Sequence, residues 1–342
     1  MKFPKPGISR RQFIDAAAIG CLTASSAALA GSVKLAGAQT DSGSANPFAY
    51  DLSRFTTTDP KLIRYEEIGR VSCPHPQPRR ITVGPDDRIY VATRDGVDML
   101  NRADGQRESI KLAAPARCVA VAADGIIYAG LKDRVEIFSR TGERIASWEV
   151  PGSKAWLSGL AVGERDVLAA DSGNRLIWRY DRSGKLAARI GQKSRERQIP
   201  GLIVPSPYLD VALGRDGLLR VNNPGRHCVE LYTLDGELEL SWGKASAAID
   251  GFCGCCNPIG VALLSDGSCV TCEKGLPRVK IYSPERNLDC VVAGPESFSG
   301  NTKAPESTDG TVGGLDAAID SHGYIHILDL VTAEIRIMSR KT

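Results

Sequence analysis

The chain has 342 residues, with 43 Lys and Arg against 40 Asp and Glu and a formal net charge of +3. This balance excludes the strongly basic surface typical of nucleic-acid-binding proteins, so we expect no nucleic-acid partner. The 35 Gly and 19 Pro residues indicate many turns and favour short strands over long helices. Ten cysteines are too many to be incidental and need a chemical explanation.

The N-terminal segment reads Ser9-Arg10-Arg11-Gln12-Phe13-Ile14 and resembles a twin-arginine export signal. The apolar stretch that follows is rich in Ala and Ser and contains Lys34, which costs about 3 kcal/mol at the centre of a membrane helix. Residues 36–38 match the small-x-small pattern before a cleavage site. We therefore expect a signal at residues 1–38, cleaved after Ala38 or retained as an anchor, and a periplasmic protein.

Two alternatives for this segment stay open. In the first alternative the segment is a disordered or helical tail. In the second it is a lipoprotein signal that is modified at Cys21. The resemblance to a twin-arginine signal further implies a protein exported in folded form, often with a cofactor already inserted. It therefore favours a metal or redox centre in the mature chain.

After a polar linker, predicted at residues 39–64, the sequence repeats a pattern of short strands and tight turns. The first turn of each unit recurs roughly every 40 to 55 residues, as expected for propeller blades. These six turns are Pro85-Asp86-Asp87, Asp124-Gly125, Glu164-Arg165-Asp166, Asp216-Gly217, Asp266-Gly267 and Ser321-His322-Gly323. Turns of this kind between apolar strands predict β-hairpins, and six of them predict six blades.

The segment from Leu168 to Tyr180 closely resembles the NHL repeat, and Arg226 to Tyr232 and Arg278 to Tyr282 repeat its second half. The resemblance covers roughly residues 65–342 and implies an all-β fold, a single six-bladed β-propeller of the NHL/TolB-like type. The last unit lacks a fourth strand, whereas an extra strand, Tyr65 to Val71, precedes the first unit. We therefore predict that this N-terminal strand completes the last blade and closes the ring.

The repeat register also predicts the face on which each cysteine lies. The loop Phe252-Cys253-Gly254-Cys255-Cys256-Asn257-Pro258 precedes the innermost strand of the fifth blade, on the face that we call the top. Cys118, Asp210 and Asp316 hold equivalent positions six residues before a first turn, and should ring the mouth of the central channel. Cys73, Cys228 and Cys272 also map to the top. Cys269 and Cys290 lie on two non-adjacent strands of one blade, about 10 Å apart, too far for a disulfide.

Converging thiolates at the channel mouth would bind a soft metal ion or an iron–sulfur cluster, which need about four such ligands. The predicted ligands are Cys118, Cys253, Cys255, Cys256 and Cys272. Further ligands or channel-mouth residues are Cys73, His75, Asp210, His227, Cys228, Glu273 and Asp316. The spacing names no metal, so copper, zinc and iron–sulfur remain open. Disulfides formed after export, or a catalytic thiol, are the alternatives.

The segment Gly254 to Pro258, together with Cys272 to Tyr282 and Val292 to Phe298, resembles a subgroup of exported bacterial NHL-repeat proteins. That resemblance implies the fold but no particular reaction. Glu273, Lys274 and Arg278 either hold an anion near the cysteines or form an ordinary loop and blade core.

Three functions follow as hypotheses. The first is a metal or redox propeller accessory to electron transfer, with a membrane redox complex or another protein as partner. The second is a lyase or hydrolase acting at the channel mouth on an unidentified small molecule. The third is a disulfide-stabilised interaction scaffold, since the propeller fold alone does not determine function.

Overall fold

A computed structural model describes residues 52–75, 77–102, 104–298 and 313–342. The predicted export signal, with Cys21 and Ala38, lies outside the described residues, as does the first half of the predicted linker, residues 39–51. In the described part, helical structure is limited to single 3₁₀ turns of three residues. No helix there is long and apolar enough to cross a membrane.

The strands form six antiparallel four-stranded sheets, the six blades of a propeller. Blades 1 to 3 comprise β2 (Pro78–Val83), β3 (Ile89–Thr93), β4 (Gly96–Leu100), β5 (Arg107–Lys111); β6 (Cys118–Val121), β7 (Ile127–Gly130), β8 (Arg134–Phe138), β9 (Arg144–Glu149); and β10 (Leu157–Val162), β11 (Asp166–Asp171), β12 (Leu176–Asp181), β13 (Leu186–Ile190). Blades 4 to 6 comprise β14 (Val211–Leu213), β15 (Leu219–Asn223), β16 (Cys228–Tyr232), β17 (Leu238–Trp242); β18 (Gly260–Leu263), β19 (Cys269–Cys272), β20 (Val279–Tyr282), β21 (Leu288–Ala293); and β22 (Leu315–Ile319), β23 (Ile325–Asp329), β24 (Glu334–Arg340) with β1 (Tyr65–Ser72). The six-bladed propeller predicted from the repeats is confirmed.

The last blade is completed by the N-terminal strand, as predicted. β1 pairs antiparallel with β24, from Tyr65 opposite Arg340 to Ser72 opposite Glu334. The ring is therefore closed by hydrogen bonds between the two ends of the described chain, which leaves no unpaired edge where the ring joins. The described part of the predicted linker lies against blade 5, where Ile63 forms an isolated bridge with Val291.

Burial follows the order of the strands within a blade. The second and third strands are mostly buried, and β3 and β20 are buried at every residue. The fourth strands alternate instead, and β9 reads exposed and half-buried in turn, because one of its faces meets solvent. This pattern explains why the inner strands read as continuous apolar runs, whereas the outer strands carry charges.

Apolar clusters fill the space between neighbouring blades. The contact between blades 4 and 5 is an exception. Its buried apolar cluster contains only Val229, Val261 and Cys269, with Trp242 among the half-buried residues packed against it. Other interactions must therefore help to hold blade 5 against blade 4, and the top-face loop between them provides these.

Candidate functional site

One arginine crosses the upper end of the central channel. Arg80 begins on β2 of blade 1, and its guanidinium donates hydrogen bonds to the Ser158 carbonyl of blade 3 at 2.9 Å and the Ile259 carbonyl before blade 5 at 3.2 Å. It also pairs with Asp316 of blade 6 at 2.8 Å and Asp210 of blade 4 at 3.4 Å. A single side chain thus connects five of the six blades and closes this end of the channel.

The two carboxylates are bound to the backbone as well as to Arg80. Asp316 Oδ2 accepts the Ile81 N–H at 2.9 Å, and Asp210 Oδ2 accepts the Val261 N–H at 3.0 Å. Burial raises the pKa of Asp210 to about 6, against the opposing attraction of Arg80, and the neighbouring Asp316 charge raises it further. Both acids therefore join blades, and both carboxylates are paired at the channel entrance.

Arg80 is not among the residues predicted from the sequence, although its position carries the same signal. Arg80 stands six residues before Asp86 in the first turn of blade 1, the same spacing that selected Cys118, Asp210 and Asp316. Applying the register to blade 1 would have placed a cation at the same end of the channel as the two selected acids. Below Arg80 the inner strands of all six blades line a cavity of about 260 Å³, which ends at apolar residues such as Val83 and Leu213.

Cys118 lies at this end of the channel, and its side chain lies over Gly130 in the apolar cluster between blades 2 and 3. A Cβ built on Gly130, its partner on β7, would lie 2.4 Å from the Cys118 sulfur. The glycine therefore makes room for the thiol in the contact between blades 2 and 3. Burial raises the pKa of Cys118 to about 12, so this thiol is neutral and unreactive at ordinary pH.

Cys272 is fully buried on β19, opposite Gly260 of β18. Burial raises the pKa of its thiol well above the usual value. Blades 2 and 5 stand opposite each other in a six-bladed ring, so the Arg80 side chain lies between Cys118 and Cys272. In the described part of the chain, no three His, Cys, Asp or Glu side chains gather in a way that could hold a metal ion. The five predicted ligands are thus not brought to one point.

The loop from Cys253 to Pro258 has a fixed backbone. Gly254 turns the chain with a φ of +81°, which a residue with a side chain rarely adopts, and the Asn257–Pro258 peptide bond is cis. The Asn257 side chain donates to the carbonyls of Cys253 and Lys274 and accepts the Lys274 N–H at 2.9 Å. One amide therefore ties the loop to the connection between β19 and β20.

Glu273 anchors the start of the same loop. Its carboxylate accepts the Cys253 N–H at 3.2 Å and pairs with Arg278 at 2.7 Å and Lys280 at 2.8 Å, all inside the protein. Arg278 and Lys280 both donate onward to the Gly251 carbonyl. This buried network lies at the contact between blades 4 and 5, beside the packed rings of Trp242, Phe252 and Tyr282. Glu273 and Arg278 both take part in this network. They therefore belong to the blade core, the second of the two alternatives given for them, and they do not face an anion site.

The loop brings two thiols together at its surface. Cys255 Sγ and Cys256 Sγ lie 3.2 Å apart, within hydrogen-bonding distance. Cys255 is exposed, whereas Cys256 is only 6% exposed. Cys253, the third cysteine of the loop, is half-buried.

The surroundings of Cys256 favour its charged form. Burial opposes a thiolate, but the Ser206 hydroxyl, the Cys255 thiol and the Lys274 ammonium outweigh it and lower the pKa of Cys256. The hydrogen bond to Cys256 raises the pKa of Cys255. The pair therefore combines a stabilised thiolate with an exposed thiol, the arrangement found at reactive cysteine sites.

The other predicted top-face ligands lie apart from this pair. In blade 1, Cys73 lies at the top, where burial raises its pKa to about 12, and His75 lies 3.2 Å from Asp95. In blade 4, His227 ends a 3₁₀ turn with a φ of +56°, and Cys228 begins β16 as a buried thiol. Burial raises the pKa of Cys228 to about 11.

Cys269 and Cys290 lie on β19 and β21, separated by β20, as expected from the sequence. Cys269 belongs to the apolar cluster between blades 4 and 5, and Cys290 to the cluster between blades 5 and 6. Both serve as small buried hydrophobic residues.

No family model matches the sequence, and no curated protein matches it closely. Solved structures similar in fold include a streptogramin B lyase, with 14% identity, a TM-score of 0.56 and coverage of 81% of this chain and 97% of the lyase. Virginiamycin B lyase from Staphylococcus aureus has 12% identity and a TM-score of 0.56 over 80% of this chain and 99% of that chain. A catalytically inactive variant of that lyase with quinupristin gives the same values. At this level of identity, the comparison establishes a shared six-bladed propeller fold.

Proposed function

We propose that this chain is an exported propeller of NHL type whose function is thiol redox chemistry at Cys255 and Cys256, accessory to electron transfer. The observation that carries this proposal is the 3.2 Å separation of the two sulfur atoms in a loop whose backbone is fixed on both sides. Two sulfur atoms at this distance need to approach by only about 1 Å to form a bond. The pair would then store two electrons as thiols and release them on forming a disulfide.

Adjacent cysteines suit a redox role better than a structural one. The Cα atoms of neighbouring residues are about 3.8 Å apart, less than the spacing of an ordinary disulfide, so a bond between them is strained and easily reduced. Strained and exposed disulfides are the labile, catalytic or regulatory ones. The exposed Cys255 sulfur gives a partner access to the bond.

The rest of the molecule supports the same assignment. Burial raises the pKa of the thiols of Cys118, Cys228 and Cys290 and keeps them neutral, whereas at Cys256 the neighbouring polar groups outweigh burial and lower the pKa. The resemblance to a twin-arginine signal, with periplasmic export, would place the pair where disulfides form and persist. The electron-transfer partner would be a membrane redox complex or another exported protein.

The test is to oxidise purified protein with glutathione disulfide and measure the mass of the peptide that contains residues 253–258. We expect a loss of two hydrogen masses, reversed by dithiothreitol, and no such loss in Cys255→Ser or Cys256→Ser. Cys290→Ser is the matched control, because its thiol is buried in another cluster. If the wild-type peptide keeps both thiols under these conditions, the proposal is wrong.

Binding of a soft metal ion or an iron–sulfur cluster is a second use of the same loop, favoured by three cysteines within four positions. Copper, zinc and iron–sulfur all remain candidates. A site with four protein ligands would need one more thiolate, and neither Cys118 nor Cys272 reaches the loop without rearrangement. Metal analysis of protein purified without oxygen tests this function, and a stoichiometric metal lost in Cys255→Ser would support it.

The lyase or hydrolase hypothesis has the fold of the similar solved structures in its favour. Three acids would serve this hypothesis: Asp210, Asp316 and Glu273. Asp210 and Asp316 are paired with Arg80 and bound to backbone N–H groups. Glu273 is paired with the buried Arg278 and Lys280. An enzyme of this kind would therefore need other groups on the top face. Turnover that survives Cys255→Ser would favour the enzyme over the redox protein, and fully oxidised cysteines with neither activity would favour the scaffold.

A further inference from the structure

The two thiols of the pair are not equivalent to an approaching molecule. Cys255 is exposed, whereas Cys256 is 6% exposed, and the Lys274 ammonium helps to lower the pKa of Cys256. Asn257 fixes the backbone that follows Cys256, so Cys256 cannot exchange places with Cys255 by a small rotation of the loop. A molecule that attacks the oxidised pair in line with the S–S bond can reach only the Cys255 sulfur.

The Lys274 ammonium is itself held in place. Its backbone N–H donates to Asn257 Oδ1 at 2.9 Å, and its Nζ lies 4.4 Å from the centre of the Tyr208 ring. The Tyr208 hydroxyl donates to the Gly313 carbonyl at 2.7 Å, which fixes the ring. The positive charge therefore lies beside the buried sulfur of the pair before any reaction begins.

We propose, on the basis of the redox function above, that the partner of the oxidised pair is a dithiol of another exported protein and that it attacks Cys255, with Cys256 as the leaving group. In the first step, a partner thiolate forms a bond to Cys255 Sγ while the Cys255–Cys256 bond breaks. The electron pair of the broken bond remains on Cys256 as a thiolate beside Lys274. A good leaving thiolate speeds exchange, so the fixed cation favours this direction of attack.

The second step releases the partner. Its other thiol, after losing a proton to solvent, attacks the partner sulfur that is bound to Cys255, and Cys255 leaves as a thiolate that takes up a proton. The net change is oxidation of the partner dithiol to a disulfide by two electrons and reduction of the Cys255–Cys256 disulfide to two thiols. Exchange in reverse with a disulfide of a second exported protein reoxidises the pair.

The asymmetry predicts where a mixed disulfide accumulates. All variants carry Cys253→Ser, which removes the third thiol of the loop. With glutathione disulfide as the probe, Cys256→Ser should form a mixed disulfide on Cys255, and Cys255→Ser should form one on Cys256 at least tenfold more slowly. Fragmentation of residues 253–258 in the mass spectrometer locates the modification. Equal rates in the two variants would overturn the inference.

The role of Lys274 and the choice of a dithiol are tested on the oxidised protein. Lys274→Gln should slow reduction of the pair by a Cys-x-x-Cys peptide about tenfold, and Lys274→Arg should restore most of the rate. The dithiol peptide should reduce the pair faster than the same concentration of glutathione, because its second thiol resolves the intermediate within one molecule. Unchanged rates in Lys274→Gln, or equal rates for the two reductants, would contradict the proposal.

The redox function and the assignment of the attacked sulfur are contradicted by different results. If the wild-type pair never loses two hydrogen masses on oxidation, the redox function itself is wrong. If the pair oxidises but the mixed disulfide lies on Cys256, the redox function stands and the assignment of the attacked sulfur is wrong.

Discussion

Arg80 and Asp316 are 236 residues apart in the chain, and their side chains meet at 2.8 Å across the central channel. The same guanidinium contacts Asp210 at 3.4 Å. All three side chains are nearly buried, so removal of the cation would leave two carboxylates without their partner.

Arg80→Met should lower the free energy of unfolding by about 3–5 kcal/mol, the usual cost of breaking a buried ion pair by removing one partner. Urea unfolding followed by circular dichroism measures the change. Adding Asp316→Asn to this variant should recover part of the loss, because it removes one of the orphaned charges. Arg140→Met is the control, since Arg140 lies on the surface with only a long contact to Asp86, and it should change little.

Asp210 should make the protein less stable as the pH rises from about 4 to about 6. Burial raises the pKa of Asp210 to about 6 in the folded protein, above its ordinary value of 3.8. In this window the folded state therefore keeps a proton that the unfolded chain has already lost, so its stability falls as the pH rises. The contribution amounts to at most about 3 kcal/mol.

The comparison of wild type with Asp210→Asn isolates this effect, because all other carboxylates titrate in both proteins. The unfolding free energy of the wild type relative to the variant should decrease from pH 4 to pH 7 (roughly the titration range of this carboxyl). A difference that stays constant over this range would show that Asp210 does not titrate in it.

Glu273→Gln should destabilise the protein by about 3–5 kcal/mol, because it leaves the buried Arg278 and Lys280 cations without their carboxylate. The effect should be greatest in the loop that contains Cys253, whose N–H is bound by Glu273. Hydrogen exchange of residues 244–256 measures this local change. Glu239→Gln, an exposed change on β17, is the matched control and should leave exchange in the loop unaltered.

Tyr65→Ala should lower the free energy of unfolding by about 3 kcal/mol. Tyr65 is the one buried residue of β1, and it packs with the apolar cluster between blades 5 and 6. Its neighbour Glu66 is exposed, so Glu66→Ala should have little effect. Thermal unfolding compares the two. Equal midpoints would mean that attachment of the N-terminal strand contributes little to the stability of the ring.

Native alkylation with iodoacetamide should modify Cys255 first. Among the described cysteines, those of the blade interiors should react only after denaturation; they are Cys118, Cys228, Cys269, Cys272 and Cys290. Peptide mapping before and after urea treatment measures this order. Fast modification of Cys272 in the native protein would show that blade 5 opens more readily than its packing implies.

The fold was predictable because its information is local and repeated. Turns such as Asp124-Gly125 and Asp216-Gly217 recur at blade spacing, and the missing last strand has a visible replacement at residues 65–71. The register also predicts the end of the strand on which a residue lies, which is why Cys118 and Asp316 were assigned to the same end of the channel.

The site was less predictable, because the direction of a side chain depends on its neighbours in space. The Cys118 side chain lies over Gly130 in the contact between blades 2 and 3, and its direction depends on how these two blades pack. The role of Lys274 depends on Ser206 and Tyr208, which lie in a loop more than 60 residues earlier in the sequence. No spacing rule connects that loop to the cysteines.

The arginine across the channel divides the disc into two chemically separate sides. While Arg80 holds its contacts to blades 3, 4, 5 and 6, its side chain obstructs the centre between one face and the other. A molecule bound beneath the propeller therefore has no passage through the channel to the sulfur atoms above. Molecules that react with the thiols must therefore approach from the top face or around the rim. An engineered docking domain would have to be attached on the top face to affect the thiols.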